Sequence, residues 1–339
     1  MSAIETTTRE TVLHRHRGDL GTSPSSCTTT RTTVVRPLDD GEVRVRNSFV
    51  QVTAVMADLM AENTGLPMPG YLLGAPLWGG AIGTVIETAS TALPVGTVVS
   101  HMSGWREESV GLSETFWPVS ESMVRHPEQV LNQGVTAYHG MVDIARVGLG
   151  DVVFVTGAAG GVGSLAGQIA KARGAAQVIG SAGTDEKAEY LVEELGFDAA
   201  VNYRRGDVLD RLRDLAPDGI DVLFDTVGGS QFEDAVQAAA PRARMALCGA
   251  LAGQVTGGHA GHPHLDLMTA IVKELEIRPF STGHTPDQLQ AWHEHAAQWH
   301  GEGLLVFPHT IVPGGLDAAP GALDDLLRGA FRGAVLVQL

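Results

Sequence analysis

The densest chemistry-bearing pattern in the chain is Val153-Phe154-Val155-Thr156-Gly157-Ala158-Ala159-Gly160-Gly161-Val162-Gly163-Ser164, an apolar run that passes into a glycine-rich turn and then into helix-forming text. Glycines there let the backbone bend sharply and approach a bound group, and the helix that follows offers unpaired N–H groups and the positive end of its dipole to an anion. The chemistry this spacing suits is the seating of a pyrophosphate. Ala158 stands where the first glycine of G-x-G-x-x-G would be. The strand before, the helix after and the strand-helix units beyond nevertheless supply the context that makes the turn a dinucleotide site.

The choice between the two nicotinamide dinucleotides is written at the end of the next strand, where a carboxylate would hydrogen-bond a ribose 2′-hydroxyl. Gly180-Ser181-Ala182-Gly183 stands there without one, and Lys187 follows, one of only three lysines (Lys171, Lys187, Lys273) among 23 basic residues. An ammonium at that place suits a 2′-phosphate, and Tyr203, just past the third strand, can donate a second hydrogen bond. The expected cofactor is NADP(H).

Other candidate groups are weaker. Among thirteen histidines, His259, His262 and His264 share a loop, and His293-Glu294-His295 precedes His300; His293 and His295 are two apart and share no helical face, so no HExxH site exists. With Cys27 and Cys248 the only cysteines, one disulfide is the ceiling and a four-thiolate zinc site is impossible. No metal is expected. Trp292 and Trp299 are seven apart and read as a buried helical face, whereas Trp78 and Trp105, with Val55, are candidates for a substrate pocket. Tyr138 is the candidate catalytic phenol, placed to hold a nicotinamide ribose or relay a proton.

These residues need elements to hold them. At 339 residues the chain predicts about two domains. Residues 1–35 are rich in Thr, Ser and Arg and read as irregular or edge-like. Glu42-Val43-Arg44-Val45-Arg46, Gly83-Thr84-Val85-Ile86 and Val95-Gly96-Thr97-Val98-Val99 are short β runs between breakers. From Val152 the text alternates apolar runs with helices (about 162–173, 185–195, 207–215 and 231–239), the pattern of a parallel sheet covered on both faces. Val335-Leu336-Val337 is a terminal strand that rejoins the first domain. The fold class expected is α/β: a doubly wound parallel-sheet (Rossmann) domain, 122–304, plus a mostly β substrate domain, 1–121 with 305–339. A formal charge of −16 opposes nucleic acid and anionic membranes as partners, and neither a signal sequence nor a membrane span is legible. A cytoplasmic protein acting on a small molecule is expected.

The glycine turn also spells TGxxxGxG, as in short-chain dehydrogenases, but those need Tyr and Lys four apart, and Tyr71, Tyr138, Tyr190 and Tyr203 are followed at that spacing by Ala75, Val142, Glu194 and Asp207. The order of β domain, nucleotide domain and returning strand resembles the medium-chain dehydrogenase/reductase superfamily, with a GroES-like first domain. Its zinc alcohol dehydrogenases carry GHExxG, where this chain has Leu77-Trp78-Gly79-Gly80-Ala81-Ile82-Gly83. Gly134-Val135-Thr136-Ala137-Tyr138-His139-Gly140, Gly167-Gln168-Ile169-Ala170-Lys171, Gly183-Thr184-Asp185-Glu186-Lys187, Asn202-Tyr203, Phe224-Asp225-Thr226-Val227-Gly228-Gly229 and Cys248-Gly249-Ala250 resemble the zinc-free branch of prostaglandin reductases and alkenal double-bond reductases.

That resemblance implies a pyrophosphate on Gly160, Gly161, Val162 and Gly163, and a 2′-phosphate near Gly183, Lys187 and Tyr203. It implies a nicotinamide half lined by Thr136, Thr226, Cys248, Gly249, Ala250, Leu251, Phe280, Ser281 and Thr282, with Phe331 from the last loop. It further implies a homodimer, a substrate cleft between the domains, and NADPH-dependent reduction of the C=C bond of an α,β-unsaturated carbonyl compound. Departures gather on the substrate side: Thr53-Ala54-Val55-Met56-Ala57 replaces Asp-Pro-Tyr-Met-Arg, Thr226 replaces Asn, and Phe331 replaces Asn. Reduction of a ketone, imine or quinone, redox-neutral cyclisation, and NADPH binding without turnover therefore stand as alternatives. The Ala-, Gly- and Arg-rich, Lys-poor composition points to a GC-rich bacterial source and a tailoring role in secondary metabolism.

Overall fold

The computed structural model describes residues 6–256 and 262–339 and divides into two units, Met1–Asn132 with His309–Leu339, and Gln133–Pro308. Residues 122–132 thus fold with the first unit and 305–308 with the second, a shift from the boundaries read in the sequence. Packing explains it. Met123, Val124, Val130 and Leu131 close over Phe49, Ile82 and Leu336 of the first unit, whereas Leu305 and Phe307 join the core around Trp292 in the second.

The first unit opens with β1 (Thr7–Leu13) and β2 (Thr28–Val34), an antiparallel pair forming its own sheet where the sequence reads as irregular or edge-like. The threonines explain the difference: β-branched side chains suit a pleated surface, Thr11 and Thr30 meet at 3.2 Å, and Arg31 pairs with Glu10 at 2.7 Å. β3 (Glu42–Val52) precedes a short helix, α1 (Val55–Leu59); β4 (Ala81–Thr88), β5 (Val98–His101), β6 (Glu108–Leu112) and β7 (Phe116–Pro118) follow.

In the second unit α2 (Gly134–Tyr138) runs on into a wide helical turn, His139–Ile144. Strands and helices then alternate: β8 (Val152–Val155), α3 (Gly163–Ala172), β9 (Gln177–Ala182), α4 (Asp185–Glu193), β10 (Ala199–Asn202), α5 (Val208–Leu215), β11 (Ile220–Asp225), α6 (Gly229–Ala238) and β12 (Ala239–Leu247). α7 (Leu251–Thr256), α8 (Leu267–Val272), β13 (Glu276–Pro279) and α9 (Pro286–Gly301) complete it. The sheet order is β10-β9-β8-β11-β12-β13, parallel throughout. The chain moves outward from β8 in one direction, then returns to its other side, so the order reverses between β8 and β11. In such sheets ligands bind beyond the carboxyl ends of the strands at that reversal. Three of the helices begin on side-chain caps that satisfy first-turn N–H groups, with Thr184 for α4, Asp207 for α5, and Thr285 with Gln288 as a capping box for α9.

Back in the first unit, β14 (His309–Val312), α10 (Ala318–Leu327) and β15 (Ala334–Gln338) finish the chain, and β15 runs antiparallel to β3 in a sheet ordered β14-β15-β3-β4-β5-β7 with β6 also on β3. No helix among the described residues is long and apolar enough to cross a membrane.

Trp292 and Trp299 lie buried on one face of α9, as their spacing predicts, and pack against α2. This close approach needs Gly134, because a Cβ there would fall inside the Trp292 ring. Gly134→Ala is expected to lose about 1–3 kcal/mol through overpacking. Gly321→Ala, at an exposed position of α10 with nothing within 4 Å, is expected to gain about 0.5–1 kcal/mol from lower unfolded-chain entropy. Urea unfolding of the two variants checks both signs.

Candidate cofactor and active site

β8 delivers Thr156 and the glycine turn to the carboxyl edge of the sheet. Gly157 takes φ +58°, which favours glycine, and a Cβ on Gly163 would lie 2.5 Å from the Gly157 carbonyl oxygen, so the turn folds tightly onto the first turn of α3 only without a side chain. A Cβ on Gly161 would strike the Gln133 amide. Gly160, Gly161 and Val162 stay partly or fully exposed while Gly163 is buried, forming a bare backbone cradle at the positive end of a ten-residue helix. The turn is tied to β9 by Ala158 N–H to the Ser181 carbonyl (2.9 Å) and Gly157 N–H to Ser181 Oγ (3.2 Å), and Ser181 itself donates to Gln231.

The reversal point is braced by one carboxylate. Asp225, 2% exposed at the end of β11, accepts from Thr156 Oγ1 (2.6 Å), from Val227 N–H (3.0 Å) and from Gly228 N–H. Burial pushes its carboxyl above the ordinary range, against these hydrogen bonds, which favour the anion. Thr156 in turn accepts from Thr226 N–H at 2.9 Å, and Thr226 Oγ1 donates to the Thr156 carbonyl at 3.0 Å. The following loop is sewn on by Cys248 and Gly249 N–H groups to the Asp225 carbonyl and Leu251 N–H to that of Thr226. A Cβ on Gly249 would lie 2.9 Å from that last oxygen. Burial, with Asp225 nearby, pushes the Cys248 thiol up to about 12, so it is un-ionised at neutral pH.

On the other side of the turn, Gly183 directly follows β9, and a Cβ there would lie 3.1 Å from Tyr203 Oη and 3.5 Å from Arg204 Nε. The Arg204 guanidinium lies over the Tyr203 ring at 5.6 Å. Lys187 sits in the first turn of α4. Sequence reasoning missed Arg204; its signal is the Arg204-Arg205 pair directly after Tyr203. Arg205 is spoken for by Asp185, which also accepts from Asn202.

Phe280 follows β13 and packs edge-on to Phe224 (6.3 Å) and to His139 (5.4 Å), with Ser281 and Thr282 exposed beyond it. The expected cofactor-half residues Gly160 to Gly163, Thr226, Cys248 to Leu251 and Phe280 to Thr282 therefore share the carboxyl edge of one sheet. Thr136 is buried, with Oγ1 2.9 Å from His284 Nε2. Phe331 lies in the first unit and packs against that unit's own core.

Tyr138 and Trp105 are both buried side chains. Tyr138, the candidate catalytic phenol, is 6% exposed, packed among Trp292, Trp299 and His295, with its hydroxyl 3.1 Å from His295 Nδ1. The aromatic face of α9 encloses it. Trp105, a candidate pocket wall, is fully enclosed in the first unit's core with Nε1 donating to the Gln51 carbonyl, so it supports that core from within. Trp78 is half-buried and edge-on to Tyr71 at 5.3 Å; Val55 is half-buried at the start of α1. Among the described residues no three His, Cys, Asp or Glu side chains gather to hold a metal ion; His259 lies outside the described residues.

Family descriptions match both units: "Zinc-binding dehydrogenase" over residues 161–298 and "N-terminal domain of oxidoreductase" over 9–119. Among curated proteins, the chain is 32% identical to "Putative NADP-dependent oxidoreductase YfmJ" of Bacillus subtilis, covering 88% of each chain. It is likewise 32% identical to "Prostaglandin reductase 1" of Bos taurus, covering 91% of this chain and 92% of that one. Among solved structures, CurA of Vibrio vulnificus in complex with NADPH superposes with a TM-score of 0.89 at 25% identity, covering 97% of this chain and 98% of the other. Cradle, strand order and whole-length similarity agree, and the chain belongs to the prostaglandin-reductase branch of the medium-chain dehydrogenase/reductase superfamily.

Proposed function

We propose that this NADP-dependent oxidoreductase reduces the carbon–carbon double bond of an α,β-unsaturated carbonyl compound, without a metal ion. The observation that carries the reading is the carboxyl edge of the sheet, where the bare Gly160–Gly163 turn follows β8, the Asp225–Thr156 hydrogen bond joins β11 to β8, and the Tyr203–Arg204 stack follows β10 beside Gly183. The relatives' names support the reading: one is called NADP-dependent and another a prostaglandin reductase. When bound, NADPH supplies a hydride from its nicotinamide C4 to the β-carbon. The π electrons move onto the carbonyl as an enolate, a solvent-derived proton adds at the α-carbon, and NADP⁺ leaves.

The chain's own work is binding and orientation. Gly160 to Gly163 seat the pyrophosphate; Lys187, Tyr203 and Arg204 pair with the 2′-phosphate; Thr226, Cys248 to Leu251 and Phe280 to Thr282 flank the nicotinamide half. Little acid/base machinery is required for such a step, in keeping with a packed Tyr138 and an un-ionised Cys248. Val55 and Trp78 are the proposed substrate-side residues, and Phe331, in the last loop, is a proposed cofactor-side residue.

A homodimer is part of this reading. β13 is an edge strand, and beside it α8 presents Leu267, Met268, Ile271 and Val272 at 64–74% exposure. An unpaired strand edge next to an apolar helix face invites a second copy. Two unbridged cysteines and an NADPH-dependent reaction suit the cytoplasm.

Loss of NADPH absorbance with a panel of enones, enals and unsaturated thioesters tests the chemistry, and no oxidation with any of them overturns it. In Lys187→Ala and Arg204→Ala, kcat/KM for NADPH is expected to fall roughly tenfold or more each, the worth of a charge-assisted hydrogen bond, with little change for NADH. Equal losses for both nucleotides would remove the 2′-phosphate assignment. Light scattering is expected to report a dimer, and Ile271→Asp to shift it toward monomer; a monomeric unsubstituted chain at micromolar concentration contradicts the interface.

A further inference from the structure

His284 lies past the end of β13, three residues beyond Ser281, and is the one residue of the exposed run 281–287 whose side chain turns back into the protein. Its Nε2 is 2.9 Å from Thr136 Oγ1, and its ring sits edge-on to His139 at 5.8 Å. His139 in turn is engaged by Asp143 at 2.8 Å and by Gln288 of α9 at 2.9 Å. The whole group is pressed onto the ends of β11 and β13, because Gly140 leaves no Cβ between the turn and the Phe224 and Phe280 rings. Burial and the neighbouring His139 hold the imidazole below its ordinary range, so it is neutral near pH 7. One atom is left over: His284 Nδ1 is buried and meets no protein partner. A buried polar atom without a partner costs free energy, and a ligand group that completes it recovers that cost.

We propose that His284, oriented by Thr136, hydrogen-bonds the nicotinamide carboxamide of the bound cofactor through Nδ1 and so fixes the rotation of the ring. The inference rests on the NADP reading above and concerns a residue which that reading leaves unused. Thr136 engages Nε2 and leaves Nδ1 as the nitrogen without a protein partner; a hydroxyl can either donate to Nε2 or accept from it, so Nδ1 is an acceptor in one tautomer and a donor in the other. A primary amide is donor and acceptor in one planar group and pairs with both forms. A substrate carbonyl pairs with only one. The location agrees, since the residues just before His284, Phe280 to Thr282, are those expected at the nicotinamide half.

The test is equilibrium binding to the purified full-length chain, by calorimetry or fluorescence, with NADPH and with 2′-phospho-ADP-ribose, which lacks the nicotinamide. His284→Ala is expected to weaken NADPH about three- to tenfold and leave 2′-phospho-ADP-ribose unchanged. His284→Asn, whose amide reaches the Nδ1 position, is expected to restore much of the loss. His284→Gln, whose amide reaches the Nε2 position and keeps only the Thr136 contact, is expected to behave like alanine. Rescue by Gln and not by Asn, equal losses for both ligands, or no loss for either overturns the proposal. If the unsubstituted chain binds neither ligand, the NADP reading itself fails.

Discussion

The buried Asp225 carboxylate is the interaction on which the nucleotide unit depends. A parallel sheet opens where its strand order reverses, and the two strands flanking that point, β8 and β11, diverge toward separate loops. Asp225 and Thr156 hold them together with a 2.6 Å hydrogen bond, while the Thr226 backbone and hydroxyl close a second loop of contacts back onto Thr156. The same carboxylate accepts from the start of α6, and its carbonyl receives the chain after β12. The glycine cradle, the Cys248 loop and the start of α6 are therefore placed relative to one another by one residue, and removing it would strand a buried hydroxyl and several N–H groups at once.

Much of this was legible. Period-two and continuous apolar runs announced the two kinds of sheet, the glycine run announced the tight turn between β8 and α3, and the missing carboxylate at Gly180 to Gly183 pointed to NADP(H). These signals are local: each depends on residues within a few positions of one another, where spacing translates directly into geometry. The threonine-rich opening was misread because its strands are polar and stabilised by cross-strand partners 21 positions apart, as in Glu10 and Arg31. No periodicity reports such a pairing.

The residues that escaped or misled are those whose environment is set by distant chain. Tyr138 reads as a catalytic phenol in its own helix, yet the aromatic face of α9, more than 150 positions later, encloses it. Trp105 reads as a pocket wall and is a core residue at φ +64°, a backbone conformation that a bulky side chain adopts only when its surroundings hold it there. Arg204 was signalled only by the Arg204-Arg205 pair after Tyr203 and His284 by no motif, and the folded chain brings the first to Gly183 and the second to Thr136. The cofactor side is written in short-range pattern. The substrate side is written in tertiary contacts, which is why the chemistry of the acceptor is the part that needs a direct measurement.

That measurement follows the hydride itself. With NADPH carrying deuterium at the transferred position of C4 and a small enone in ordinary water, the product is analysed by NMR for the position of the label. The account predicts deuterium at the former β-carbon, ordinary hydrogen at the α-carbon and an intact carbonyl. Deuterium on the carbonyl carbon, giving an allylic alcohol, would show that this crevice serves a different reduction and would contradict the central claim.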